Sequence, residues 1–454
     1  MSETVSKEDK RKSLEYSIKD GAAFSVMTGF GEQYFNPLAI ELGASNMQIG
    51  LLASLPQLVS SLLQLYTSKF LRAFRSRRKI ITRFVLFQAL VWIPLILLPV
   101  LPVNGRVTLL ILFVTVYLVF GQFVGPVWNS LIGDLVDESN RGRFFGNRNM
   151  IMGGIAFASL FIAGFLLGLI PRERVLEGYA VIFLIAFIAR LVSLFYLTKT
   201  VEPPFSHDKT EEFSFPQYLV KLKDTNYGKF ALYVAAMNLS VNVAGPFFTV
   251  YMLRDLGLSY ITYTIITAAA ALTSFLAMAY WGAIADRFGN KRVLNVCGIL
   301  VAAVPLLWLF SKNISYLILV QVVSGFAWAG FNLSAGNFIF DNVRASKWTR
   351  IFSYHNVLAG TAVFIGAMLG GLLAREITFT WVFSSKWQML FLISGILRTA
   401  TSWFFLPKIQ EVRDVERITS REFFFKYSGT GPIVGMTYRT ITGLHRSLKH
   451  IRWR

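Results

Sequence analysis

Twelve stretches of about 20 predominantly apolar residues run through this chain, each long enough to cross a bilayer as a helix. In the first half they lie near 20–41, 47–70, 80–101, 107–133, 148–170 and 177–200. In the second half they lie near 229–254, 260–284, 292–311, 314–340, 352–375 and 386–407. Lipid offers a backbone N–H or C=O no partner, so spans of this kind are stable only as helices. Only 15% of the residues are charged, where a soluble domain carries roughly 25%. The single cysteine, Cys297, excludes an intrachain disulfide framework.

The formal net charge of +20 would suggest nucleic acid in a soluble protein. Here its placement argues for topology instead. An even number of spans puts both tails on one side, and that side holds 36 Lys and Arg against 7 on the other. By the positive-inside rule both termini are expected in the cytoplasm of a multi-pass cell-membrane protein, with no nucleic-acid partner. Residues 1–19 lack an apolar run and read as a cytoplasmic N-tail, not a cleavable signal.

The two halves repeat one another. A shift of 207 pairs Asp134 with Asp341, Arg143 with Arg350 and Gly164 with Gly371; a shift of 208 pairs Arg190 with Arg398. A shift of 214 pairs Gly31 with Gly245 and Leu42-Gly43 with Leu256-Gly257. The expected fold is all-α: an N-terminal six-helix bundle over 20–200 and a C-terminal one over 229–407, related by pseudo-twofold symmetry. A cytoplasmic linker at 201–228 joins them, and a basic tail at 408–454 follows. That tail either lies on the anionic inner leaflet or is solvated.

Gly282-Ala-Ile-Ala-Asp286-Arg287-Phe288-Gly289-Asn290-Lys291-Arg292 resembles the signature loop of the major facilitator superfamily, between the second and third helices of a half. Asp137-Glu138-Ser-Asn-Arg141-Gly142-Arg143-Phe144 resembles the loop after the fourth. The resemblance covers about residues 17–410. It implies transport by alternating access, with spans one, four, seven and ten lining a central cavity and the signature loop latching the cytoplasmic side. The first-half copy, Ser68 to Arg78, lacks the motif's glycines and aspartate.

Read physically, Asp286, Arg287, Lys291 and Arg292 form a charge cluster at an inner helix end, able to break and reform as a gate or to act as a static tie. Gly289 permits the turn, and Gly282 is expected to admit a neighbouring helix. Polar residues kept in both halves, Asp134/Asp341, Arg143/Arg350 and Arg190/Arg398, read as structural tethers. The last pair either snorkels or meets an acid.

Glu32 stands apart. It falls deep in the first span, the only acid inside any span away from its ends, and its repeat partner is Pro246. Ser25, Thr28, Glu32 and Asn36 recur at helical spacing. A carboxylate there is costly unless paired, hydrated or protonated. It is read as a proton-coupling site, a counter-charge for a cationic substrate, or a carboxyl merely bonded to a neighbouring helix. Asn129, Asn238, Asn242, Gln321, Trp328 and Asn332 complete the candidate cavity wall with Thr28 and Asn36; singly, each amide serves equally as interhelical glue.

No nucleotide loop, catalytic constellation, cofactor site or metal site is expected from the sequence. The reading is a secondary active transporter of a small organic solute, proton-coupled and functional as a monomer. Its rivals are an uncoupled facilitator, a drug efflux pump, and a non-transporting sensor or scaffold; import and export stay open.

Overall fold

The computed structural model describes residues 6–66, 76–136, 141–203, 214–343, 348–377, 383, 385–413 and 415. Much of the first-half signature copy, part of the loop after the fourth span, and almost all of the basic tail lie outside them.

Helices occupy all twelve expected positions. The first span is Lys7–Phe30 continued by Phe35–Glu41, and Asn46–Gln64, Arg77–Leu97, Arg106–Leu135, Arg141–Leu169 and Val175–Thr198 complete the first half. The second half has Asn226–Asn242 continued by Phe247–Val250, then Tyr260–Phe288, Asn290–Leu307, Ile314–Asn342, Trp348–Glu376 and Lys386–Phe405. Among the described residues, ten helical segments have the length and apolarity to cross a membrane. The first two spans fall outside that count. The first is broken and begins in charged residues, and the second is rich in Ser and Gln. Serine and asparagine caps start several helices, with a capping box at Ser45 and Gln48.

The chain forms two compact units. One comprises Met1–Phe215, Val241–Ile265 and Thr349–Leu390; the other comprises Pro216–Ser240, Ile266–Trp348 and Phe391–Arg454. Within the first, Gly370 backs onto the Val243 carbonyl and the Phe247 ring, and Gly371 lies against Met47. The glycines of the eleventh span therefore admit close neighbours. Large apolar side chains such as Leu112, Phe195 and Ile188 are more than half exposed, as a lipid-facing surface requires.

Two spans are discontinuous, at matching places in the repeat. In the first, the helix stops at Gly31, makes a 3-10 turn over Glu32–Tyr34 and resumes at Phe35. Pro37 withholds the N–H that the Gln33 carbonyl would need. In the seventh, Asn226–Asn242 stops, Val243 to Pro246 turn, and the helix resumes at Phe247 before widening to π geometry over Tyr251–Asp255. Gly31 and Gly245 are repeat partners. Breaks of this kind release backbone groups at depth and mark binding sites in transporters.

The first helix begins at Lys7, well before the expected start of the span, and Ser13, Ser17 and Asp20 are buried on it. The break also means that Ser25, Thr28, Glu32 and Asn36 do not share one continuous helical face, because Gly31 interrupts the register.

Candidate functional site

Glu32 sits in the 3-10 turn of the first span, half-buried. The Tyr117 hydroxyl, from the fourth span, donates to Glu32 Oε1 at 2.6 Å. Around that bond stands an aromatic wall: Trp92 packs edge-on against Tyr117 and Phe183, with centroids 5.2 and 5.4 Å apart, and stacks on Phe35 at 5.6 Å. Trp92 and Tyr117 are fully buried. The Trp92 ring lies so close to Gly31 that a Cβ there would fall 2.7 Å from its Cζ2, so the glycine is needed for contact as well as for the turn.

About three turns further toward the amino terminus is a second charged group. Asp20, only 4% exposed, accepts a 2.6 Å bond from the Ser193 hydroxyl and pairs with Arg148 at 3.8 Å. Arg148 also donates to the Ser17 carbonyl at 3.2 Å and lies 4.1 Å from the Trp128 ring centroid. Arg190 donates to Ser193 Oγ at 3.0 Å and to Gln88 Oε1, and lies over the Phe24 ring. Its guanidinium stands within Coulombic reach of both Asp20 and Glu32. Two carboxyls and two guanidiniums therefore share the interior of the first unit, drawn from spans one, five and six.

Sequence reasoning missed half of this set. Asp20 and Arg148 lie at the expected starts of the first and fifth spans, where a charge reads as part of a polar end, and Tyr117 lies in an apolar run. The signal was present in Ser13, Ser17 and Asp20, whose four- and three-residue spacing is that of an inward helix face. The duplicated arginines of spans six and twelve are buried in the protein interior. Arg190 and Arg398 are 3% and 2% exposed, and Arg398 donates to the Val301 carbonyl and to Ser394, both at 3.0 Å.

The other candidate wall residues are more dispersed. In the first unit, Thr28 donates to the Ser25 carbonyl of its own helix at 3.0 Å. Asn36 and Asn242 are half-buried near the two helix breaks, and Asn129 is exposed. In the second unit, Asn238 and Gln321 are half-buried and Asn332 is exposed, while Trp328 packs edge-on against Phe331 at 5.5 Å.

At the signature loop, Gly289 adopts φ +90. Arg413, just beyond the twelfth span, reaches Asp341 Oδ2 at 3.0 Å and Asp286 Oδ1 at 3.4 Å. Partial burial opposes its charge, but these hydrogen bonds outweigh it and hold the guanidinium above the usual arginine range. Asn290 donates to Asp341 at 2.7 Å, and Glu411 accepts from the Lys291 N–H at 2.8 Å. The sequence missed this strap entirely. The Arg287 guanidinium lies over the Phe288 ring, and Lys291 and Arg292 are half-buried. Among the described residues, a Cβ on Gly282 would meet only the Leu333 side chain at 3.7 Å; the close helix approach expected there is not made by any of them.

The first half solves the same problem with different residues. Arg77, fully buried, donates to Asp134 at 2.5 Å and to Ser130, and Glu202 accepts from the Arg77 N–H at 2.6 Å. Glu202 and Glu411 thus each cap the third helix of their own half. Arg350 is half-buried, and the side chain of Arg143 lies outside the described residues.

On the opposite side of the first unit, the Tyr260 hydroxyl donates to Glu41 at 2.6 Å and accepts from Tyr179 at 2.9 Å. Arg254 donates to the Ala44 carbonyl at 2.8 Å.

The family model described as the Major Facilitator Superfamily matches residues 22–238 and again 230–436, once for each half of the repeat. Among solved structures, the nucleoside transporter NupG superposes with a TM-score of 0.68 at 13% identity, covering 88% of this chain and all of that one. A D-xylose-proton symporter gives 0.67 at 11% identity, over 89% and 98% of the two chains. A bacterial homologue of the human lysosomal transporter Spinster gives 0.65 at 14%, over 94% and 100%. The quinolone resistance protein NorA of Staphylococcus aureus is 25% identical over 137 residues, 30% of this chain and 35% of NorA. The matched stretch thus spans about a third of that relative.

Proposed function

The chain belongs to the Major Facilitator Superfamily and is a multi-pass membrane transporter; on that premise we propose secondary active transport of a small organic solute, coupled to protons through Glu32. The observation that carries this reading is a carboxyl at the turn that breaks the first span, bonded to one buried tyrosine. Such a group can gain and lose a proton without a helix having to unfold, because its backbone is already released from helical bonding. Half-burial leaves it reachable by solute or water.

Both termini lie in the cytoplasm of the cell membrane on this reading, and the monomer is the working unit. The amides at Asn36, Asn129, Asn238, Asn242, Gln321 and Asn332, with Thr28 and Trp328, contact the solute. Asp286, Arg413 and the surrounding signature loop control the cytoplasmic side. Efflux is the second reading, favoured by the partial match to NorA.

A thermal-stabilisation screen of purified protein against nucleosides, pentoses and quinolones identifies the solute, since a ligand that binds the folded state raises its stability. Uptake into proteoliposomes under an imposed pH gradient then tests the coupling. Glu32→Gln should abolish accumulation against the gradient while leaving solute exchange. Accumulation with the unaltered pH profile in that variant would sink the proposal.

A further inference from the structure

The amino-terminal part of the first helix is tied to the end of span six by aromatic rings. Tyr16 stacks on Tyr196 with centroids 6.2 Å apart. Each of these tyrosines also lies against a lysine of the other helix: Lys19 Nζ is 5.7 Å from the Tyr196 centroid, and Lys199 Nζ is 5.9 Å from that of Tyr16. Lys199 Nζ stands 4.0 Å from the Phe195 centroid as well. Both lysines are exposed. A ring face attracts an ammonium through its quadrupole but brings no charge to neutralise it. Two neighbouring carboxylates are committed elsewhere: Glu15 pairs with Arg11 at 3.8 Å, and Glu202 accepts from the Ser76 hydroxyl and the Arg77 N–H, both at 2.6 Å. Among the described residues neither ammonium forms an ion pair. A third exposed cation, Arg78, donates to the carbonyl of Thr200, the residue after Lys199, at 3.5 Å.

The rest of span six identifies what this cluster faces. Val181, Leu184, Ile188, Leu191, Val192 and Phe195 are each more than one-third exposed and recur at spacings of three and four, so they form one stripe. From Val181 to Phe195 the stripe runs about 21 Å, longer than one leaflet of a hydrocarbon core about 30 Å thick. Lys199 follows Phe195 by four residues and so closes the same stripe. We propose that Lys19 and Lys199, framed by Tyr16, Tyr196 and Phe195, bind the phosphate of an anionic phospholipid at that edge of the bilayer. The lysines meet the phosphodiester oxygens, Phe195 and the apolar stripe meet an acyl chain, and Arg78 adds attraction from the side. A zwitterionic lipid fits less well, because its own ammonium group competes with the lysines for the phosphate and for the ring faces. The site is independent of the role given to Glu32.

Purified protein in a non-ionic detergent is titrated with dioleoyl phosphatidylglycerol or dioleoyl phosphatidylcholine. Bound lipid is counted by native mass spectrometry, and the unfolding midpoint is read alongside. The wild type should retain phosphatidylglycerol in preference to phosphatidylcholine and unfold at a higher temperature in its presence. The double variant Lys19→Gln/Lys199→Gln should bind phosphatidylglycerol roughly twenty-five-fold more weakly, about fivefold for each basic group near an anionic headgroup. The control Lys7→Gln/Lys79→Gln removes the same charge from exposed lysines that make none of these ring contacts, and should bind as the wild type does. Inorganic phosphate alone should not raise the midpoint, since it brings no chain for the stripe. Undiminished phosphatidylglycerol binding in Lys19→Gln/Lys199→Gln, an equal loss in the control, or phosphatidylcholine held as tightly as phosphatidylglycerol each overturns the proposal. Stabilisation by inorganic phosphate without lipid overturns it too.

Discussion

The Tyr117 hydroxyl donates to Glu32 Oε1 across 2.6 Å, and that bond joins the fourth span to the turn that interrupts the first. Because the tyrosine is fully buried and the carboxyl half-buried, neither can exchange the bond for water at no cost. Tyr117→Phe leaves the ring in place and removes only the donor, a loss of about 1–3 kcal/mol for a buried polar partner. The midpoint of thermal unfolding should fall. In a Glu32→Gln background the same substitution should cost less, and the cycle of four proteins measures that difference. Additive losses would mean the two groups do not act together.

Arg77 and Arg413 pair with the repeat-related Asp134 and Asp341, yet their substitution should cost different amounts. Arg77 is fully buried and bonds Asp134, Ser130 and the Pro203 carbonyl, so Arg77→Ala strands acceptors built around it. Asp134 is half-exposed and can hydrate, so the loss should be about 1–3 kcal/mol, that of stranded buried acceptors. Arg413 is one-third exposed; its bridge to the three-quarters exposed Asp286 is a surface pair worth under about 1 kcal/mol, and its 3.0 Å bridge to the largely buried Asp341 carries most of what it contributes. Arg77→Ala should therefore depress folded yield more than Arg413→Ala does. Equal losses would show that the strap beyond the twelfth span carries more of the fold than its exposure allows.

The architecture was legible because lipid permits so few solutions: a span must be long, apolar and helical, and averaging over 20 residues finds it. The candidate site resisted the same averaging. Lys7 to Lys19 read as a tail because its exposed face is charged, while Ser13, Ser17 and Asp20 on the other face are buried. Arg148 lies beyond the polar loop to which its charge seemed to assign it. Tyr117 gave no signal at all, since a tyrosine in an apolar run looks like packing until its hydroxyl is seen to meet an acid. The repeat succeeded where it paired like residues, as at Asp134 and Asp341. It was silent about Glu202 and Glu411, which do the same work from segments where the shift changes.

Tyr260 links Glu41 and Tyr179 through one hydroxyl, and the nearby Thr264 is buried against Gly164 in the same unit. If transport opens this face, Tyr260→Phe should favour opening by removing two hydrogen bonds, together about 1–2 kcal/mol or roughly five- to thirtyfold in the equilibrium. Cys297 is fully buried, so a cysteine introduced by Thr264→Cys can be labelled against a silent background. Its reaction with a membrane-impermeant maleimide should accelerate several-fold when Tyr260→Phe is added. An unchanged rate would show that the hydroxyl chain does not hold this face shut.

Gly31 and Gly282 invert what motif reading alone would rank. Gly282 belongs to the signature loop, yet a methyl group there would meet only Leu333 at an ordinary 3.7 Å. Gly282→Ala should be neutral in stability or raise it by up to about 1 kcal/mol, since alanine suits a helix interior better than glycine. Gly31 belongs to no motif, but its methyl would press into the Trp92 ring and lie 2.9 Å from the Met27 carbonyl. Trp92 is fully buried against Phe35, Tyr117 and Phe183 and has nowhere to retreat. Gly31→Ala should cost about 1–3 kcal/mol as overpacking and disturb the turn that carries Glu32. Paired measurements of unfolding midpoint and solute exchange should show both falling for Gly31→Ala and neither for Gly282→Ala. The reverse order would mean that the signature glycine is needed in another state of the transport cycle, and that the first span tolerates a straighter path past Trp92.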